Sequence, residues 1–161
     1  MEKSTTKMIE ELRLFWKNYV FQSFFATLAM FIVLLFLNSQ HVVIIASIGA
    51  TAFIIFAMPN YITAKPRNVI GGHLVGLLSG SLCALIPHPS FLYSILVCSL
   101  AVGLSIFVMV IIDTEHPPAS GTALSIAITG FSLSTAIFVI ISITILSLIH
   151  HFLKPYLRDL T

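Results

Sequence analysis

Charge is scarce in this 161-residue chain: Asp, Glu, Lys and Arg make up 9% of it, against about 25% in an ordinary soluble domain. With 58% apolar residues and a mean hydropathy of +1.04, a soluble fold of this size could not cover its apolar surface, which excludes a water-soluble enzyme. Cysteine is nearly absent. Cys83 and Cys98 both lie inside apolar segments, so there is no disulfide framework or metal spacing to read. Eight Lys/Arg against six Asp/Glu leave a net charge of +2, with no basic patch interleaved with aromatics, so nucleic acid is not an expected partner. Also missing are a Ser/His/Asp order, a His-Glu-x-x-His helix and a phosphate-cradling loop. No enzymatic activity, metal or cofactor is expected.

What the chain has instead is length without charge. Residues 18–64, 68–112 and 116–153 run for 47, 45 and 38 positions with no Lys, Arg, Asp or Glu. A membrane helix needs about 20 apolar residues, so each stretch has room for two passes. Turns and prolines divide them into spans at 19–37, 42–58, 69–86, 91–112, 117–129 and 133–153, with Asn-Ser-Gln-His at 38–41 turning the chain between the first two. Ahead of them, residues 1–17 read as an amphipathic helix on the membrane surface. Met8, Ile9, Leu12, Phe15 and Trp16 recur at helical spacing among Lys7, Glu10, Glu11, Arg13 and Lys17. That segment does not read as a signal peptide. The expected organisation is this surface helix, one transmembrane domain over 18–153, and a short basic tail at 154–161.

The fifth span is too short, at about 20 Å, for a hydrocarbon core of about 30 Å. Charge placement indicates that it nevertheless crosses. Lys and Arg occur only in the N-terminal segment, the 65–67 loop and the tail. With six crossings and both termini in the cytoplasm, all three basic regions fall inside, as the positive-inside rule requires. Six crossings also divide the chain into halves, 18–88 and 89–153, each long–short–long and each inverted relative to the other. Gly49-Ala50-Thr51-Ala52-Phe53 resembles Ser120-Gly121-Thr122-Ala123-Leu124 at an offset of 71. The expected fold is thus an all-α membrane protein of two inverted three-helix repeats. In transporters of that plan the substrate site lies near the midplane, where interrupted helices meet.

The polar residues in these spans are the candidates for chemistry. His116-Pro117-Pro118 opens the fifth span, where proline is tolerated. Ser120, Gly121 and Thr122 follow it at a helix N-terminus, which is either a capped helix start or an anion site. Ser47, Gly49 and Thr51 form the corresponding patch in the second span. Arg67 and Asn68 precede the third span, placed either to bind a planar anion or to anchor the loop. His73 lies one turn further in, where an ionisable group is costly and often functional. Asp113 and Glu115 beside His116 read as a solvated loop or a proton relay. Gly72, Gly76 and Gly80 make a small-residue stripe for close helix packing, within the chain or between copies in a homo-oligomer.

Three blocks carry a family resemblance. His116-Pro117-Pro118-Ala119-Ser120-Gly121-Thr122-Ala123-Leu124, Lys65-Pro66-Arg67-Asn68-Val69-Ile70-Gly71-Gly72-His73 and Ala46-Ser47-Ile48-Gly49-Ala50-Thr51-Ala52 resemble the conserved segments of the HPP family of integral membrane proteins. One position departs: the family pattern has Ala-Gly-Ala after His-Pro-Pro, and here Ala119-Ser120-Gly121 shifts the glycine by one. The resemblance implies membrane transport, and plastid and cyanobacterial relatives are associated with nitrite. The expected function is passage of a small inorganic anion, nitrite first. Its expected ligands are Ser47, Gly49, Thr51, Arg67, Asn68, His73, His116, Ser120, Gly121 and Thr122. The alternatives are a channel or carrier for another small solute and a non-transporting membrane scaffold.

Overall fold

The computed structural model describes residues 2–35, 42–87 and 89–160; side chains are described from Glu10 onward, except those of 11, 12 and 42. The expected turn at 38–41, the ring of His88 and the apolar side chains at Met8, Ile9 and Leu12 lie outside the described residues. Within the described residues six α-helices follow one another: α1 (Glu2–Leu35), α2 (Val42–Ala57), α3 (Pro66–Ala84), α4 (Phe91–Ile111), α5 (Pro118–Thr129) and α6 (Leu133–Leu153). One-turn 3₁₀ helices at Ile62–Ala64 and Lys154–Tyr156 complete the order. Among the described residues there is no strand.

Among the described residues three stretches are long and apolar enough to cross a membrane: Arg13–Leu35, Phe91–Ile111 and Leu133–Tyr156. They belong to α1, α4 and α6, and most of their surface is unburied. The other three helices are packed between them. α5 touches α2, α3 and α4, while α3 also touches α6, and α2 touches α1 and α6. Helices too short or too polar to face lipid alone are thus flanked by helices that can. Burial is inverted relative to a soluble protein. Phe91, Phe107, Leu78 and Phe152 are exposed, whereas Gln22, Asn68, Ser142 and three histidines are buried.

Local chemistry explains the boundaries. No glycine or proline separates the charged N-terminal segment from the first span, yet α1 is two helices joined end to end at a kink, where Phe15 leaves helical geometry (φ −119°, ψ 16°). α3 starts three residues earlier than the hydropathy suggests, at Pro66, because proline suits the first helical position. Arg67 and Asn68 therefore belong to its first turn and not to the preceding loop. α4 closes in a Schellman-type turn. Asp113 takes a left-handed conformation (φ 57°) while the Thr114 N–H reaches back to the Met109 carbonyl at 2.9 Å.

The glycine stripe of α3 seats α5 of the same chain. A Cβ on Gly80 would lie 2.5 Å from the Ala123 carbonyl oxygen, and one on Gly76 would run into the Ala119 carbonyl. Contacts of Gly72 with the 114–116 turn and of Gly80 with Ile126 put the start of α3 beside the start of α5, so these two helices run parallel. The close approach uses the stripe within the monomer. Self-association would need another face.

The tail folds back onto the same end of the bundle. Gln22 donates to the carbonyls of Phe56 and Arg158, the latter at 2.8 Å, and accepts from the Arg158 N–H at 3.3 Å. The Arg158 guanidinium sits 3.5 Å from the Phe15 ring centroid, and Asp159 accepts two bonds from Asn60. The kink of α1, the 58–65 loop and the tail thus share one end.

Candidate functional site

Polar side chains from α2, α3 and the 116–122 segment converge where the three inner helices meet. Thr51 Oγ1 lies 2.9 Å from His73 Nε2 and 2.9 Å from His116 Nε2. His73 Nδ1 is 2.9 Å from Thr122 Oγ1, which is 3.0 Å from Ser47 Oγ. Ser47 in turn donates to the Pro118 carbonyl at 2.6 Å. At the other end His116 Nδ1 meets the Thr63 carbonyl at 2.7 Å. A carbonyl only accepts, so this Nδ1 carries a proton. His73, His116, Thr51 and Thr122 are fully buried and Ser47 nearly so, and the two imidazole centroids stand 5.1 Å apart.

The sequence forms this cluster for simple reasons. α2 and α5 run antiparallel, so Ser47 meets Pro118 and Thr122 while Thr51, one turn on, meets His116. The glycines of α3 bring its backbone close enough for His73 to reach both helices. Burying so many polar atoms is tolerable because each lies within hydrogen-bond distance of another polar atom.

The remaining candidates stand around it. Asn68 is buried and donates to the Glu115 carbonyl at 3.2 Å, tying α3 to the segment before α5. Gly121 backs against Ser47, with 3.3 Å from its ideal Cβ position to the Ser47 Cβ. Ser120 faces α4 and meets Ser105 at 3.2 Å. Gly49 has nothing within 4 Å of its Cβ position and points away from the cluster. Arg67 is exposed and reaches Asp113 and the Ile112 carbonyl, each at 3.2 Å. The structure thus gathers Ser47, Thr51, His73, His116 and Thr122, and leaves Gly49, Arg67 and Ser120 outside that group.

Backbone donors are less available than a helix N-terminus suggests. Pro117 and Pro118 have no N–H, the Ala119 N–H bonds the His116 carbonyl at 2.9 Å, and the Ser120 N–H bonds the Pro117 carbonyl at 3.1 Å. The first turn of α5 is internally satisfied, so hydroxyls and imidazoles are the donors at this centre. Two partners have no signature in a sequence, the carbonyls of Thr63 and Pro118, because every residue has a carbonyl. Glu115 is a further member of the neighbourhood. With His116, Pro117, Ser120 and Met109 it lines a cavity of about 380 Å³ between α4 and α5, and its Oε2 is buried without a hydrogen-bond partner. Among the described residues no three His, Cys, Asp or Glu side chains converge as a metal site would require.

Apolar helices around a closed polar centre define a helical membrane protein with transmembrane helices. More specifically, residues 11–156 match the family described as HPP, transmembrane region, and the chain belongs to that family, a membership consistent with a transporter-like role. Two transmembrane proteins of Dictyostelium discoideum are similar to it. One is 39% identical over 88 residues, 55% of this chain and 31% of the relative. The other is 32% identical over 87 residues, 54% of this chain and 28% of the relative. The matched part is less than a third of either relative's own length. No solved structure matches the chain.

Proposed function

We propose that this chain transports a small monovalent anion, nitrite first, through the centre where α2, α3 and α5 meet. The observation that carries this reading is the buried cluster of two imidazoles and three hydroxyls inside otherwise apolar helices. Polar and ionisable groups in the bilayer are costly, and where they occur they usually mark a solute path. The hydroxyls of Ser47, Thr51 and Thr122 and the imidazole N–H groups exchange bonds among themselves for bonds to the anion. The cavity beside His116 admits it, and Arg67 supplies positive potential at the mouth.

The same reading includes the inverted repeat. Ser47 bonds the residue 71 positions further on, Pro118. Thr51 and Thr122, also 71 apart, take the two nitrogens of one ring, His73. Contacts between equivalent positions are what a pseudo-two-fold axis between α2 and α5 produces. The gathering of the α1 kink, the 58–65 loop and the tail at one end favours a cytoplasmic location for both termini, in line with their basic residues.

Uptake of nitrite into proteoliposomes tests the proposal, with a His116→Ala control checked for folding. Saturable uptake that is lost in the control, and that excess nitrate, formate or chloride leaves intact, supports a nitrite carrier. Uptake equal to that of empty vesicles from folded parent protein refutes it.

A further inference from the structure

Six short contacts run in series through the centre of the molecule. In order they are Pro118 O to Ser47 Oγ (2.6 Å), Ser47 Oγ to Thr122 Oγ1 (3.0 Å), and Thr122 Oγ1 to His73 Nδ1 (2.9 Å). They continue from His73 Nε2 to Thr51 Oγ1 (2.9 Å), from Thr51 Oγ1 to His116 Nε2 (2.9 Å), and from His116 Nδ1 to Thr63 O (2.7 Å). At these separations each pair of heavy atoms needs a hydrogen between them. Both ends of the series are carbonyls, which only accept. Between them stand three hydroxyls and two imidazoles, and each carries one proton when neutral.

The neutral series therefore holds five protons for six contacts. Wherever the gap is placed, one contact is left acceptor to acceptor. The Ser47 carbonyl, 3.1 Å from Thr51 Oγ1, does not change this count. It already accepts within the α2 ladder, and its contact is the longest in the cluster. One added proton fills the series from end to end: one imidazole is doubly protonated and donates to Thr51, whose hydroxyl points at the other imidazole.

We infer that His73 and His116 together bind one proton, shared through the Thr51 hydroxyl between them. The proton is held whatever solute the protein carries, so the inference goes beyond the transport reading and does not depend on it. A buried charge is costly in an apolar surround, and here the completed series offsets that cost. Glu115 lines the same cavity as His116, and its Oε2 is buried without a hydrogen-bond partner. The other ionisable groups on the surrounding elements are few, and the 58–65 loop, whose Thr63 carbonyl meets His116, brings the exposed Tyr61 and Lys65. α2 brings none, α4 brings Tyr93 and Cys98, and α3 brings Cys83 and the surface-exposed Arg67, paired with Asp113. α6 brings His151 and His150, the latter bonded to the Pro59 carbonyl.

Thr51 is the link whose removal is diagnostic. With valine there the series splits into two shorter ones, each with as many protons as contacts, and the demand for an extra proton disappears. Ring-¹⁵N-histidine protein in lipid nanodiscs, titrated from about pH 8 to about pH 4, reads this directly, with His73→Gln and His116→Gln used to assign the signals. In the parent, both rings should shift together with one midpoint and one proton taken up per pair. Thr51→Val should separate the two rings and lower proton affinity at least about tenfold, about one pH unit. Thr51→Ser, which keeps the hydroxyl, should behave as the parent and controls for folding. Two protons taken up independently, a Thr51→Val titration that matches the parent, or no uptake by either ring in folded parent protein would each overturn the inference. Nitrite flux in the same preparations is a separate readout: its absence alongside shared proton uptake counts against the anion alone.

Discussion

Thr51 and Thr122 hold opposite nitrogens of one imidazole: their hydroxyls lie 2.9 Å from His73 Nε2 and 2.9 Å from His73 Nδ1. The ring is therefore fixed from α2 on one side and from α5 on the other, and its plane is set by two helices that approach α3 separately. Removing either hydroxyl leaves a buried ring nitrogen unpaired. Thr122→Val should lower stability by about 1–3 kcal/mol, the usual cost of an unsatisfied buried polar group, and Thr122→Ser should recover most of it. Thermal unfolding in detergent micelles checks both. A Thr122→Val midpoint equal to that of the parent would mean that the ring is held some other way.

The two helix faces of glycine should respond oppositely to a single methyl group. Gly80→Ala forces a Cβ to 2.5 Å from the Ala123 carbonyl oxygen and 2.8 Å from the Ile126 Cβ. Backbone cannot swing away as a side chain does, so a loss of about 1–3 kcal/mol is expected. Gly103→Ala meets nothing within 4 Å and should be neutral or stabilising by up to about 1 kcal/mol, since alanine favours the helix. The same melting experiment distinguishes them. Equal destabilisation of both would contradict the parallel seating of α5 on α3.

Arg67 should matter for flux and hardly at all for folding. Its ion pair with Asp113 has side chains 65% and 64% exposed, and pairs of that kind contribute at most about 1 kcal/mol. Arg67→Ala should leave the melting midpoint nearly unchanged and reduce nitrite uptake at low ionic strength. The difference from the parent should shrink as salt screens the mouth. Uptake unaffected at low salt would remove Arg67 from the entry path.

Gln22 is the clamp on the tail. It is buried in α1 and bonds backbone groups of Phe56 and Arg158. Gln22→Leu should cost about 1–3 kcal/mol and free residues 157–160, seen as faster trimming by a carboxypeptidase. Unchanged trimming would show that Tyr19, Asn60 and the Leu160 N–H bond to Ala57 suffice to hold the tail.

Much of the helix layout is legible in the sequence because prolines and the rare charges punctuate it. Pro59, Pro66, Pro87 and Pro117 all fall between or at the start of helices. One boundary reads differently for a physical reason: Pro66 opens α3 where hydropathy alone points to Val69. Within the site, polar residues stranded in apolar stretches stand out, which makes His73, Thr51 and Thr122 visible. Rotational phase does not stand out. On a membrane helix both faces are apolar, so the sequence cannot tell that Gly49 faces away from the centre while Ser47 faces it. Nor does the helix start at Pro118 reveal that the N–H groups of Ala119 and Ser120 are already bonded to carbonyls just before them.

If the α2–α3–α5 cluster is the path of a small anion, as proposed, Thr51 and Thr122 hold equivalent places on it. The most direct measurement is nitrite uptake by proteoliposomes of the parent, Thr51→Val and Thr122→Val, each confirmed as folded. The account predicts saturable uptake by the parent and a loss of at least about tenfold, roughly 1.4 kcal/mol of barrier, in both variants alike. Uptake by either folded variant at the parental rate would contradict it.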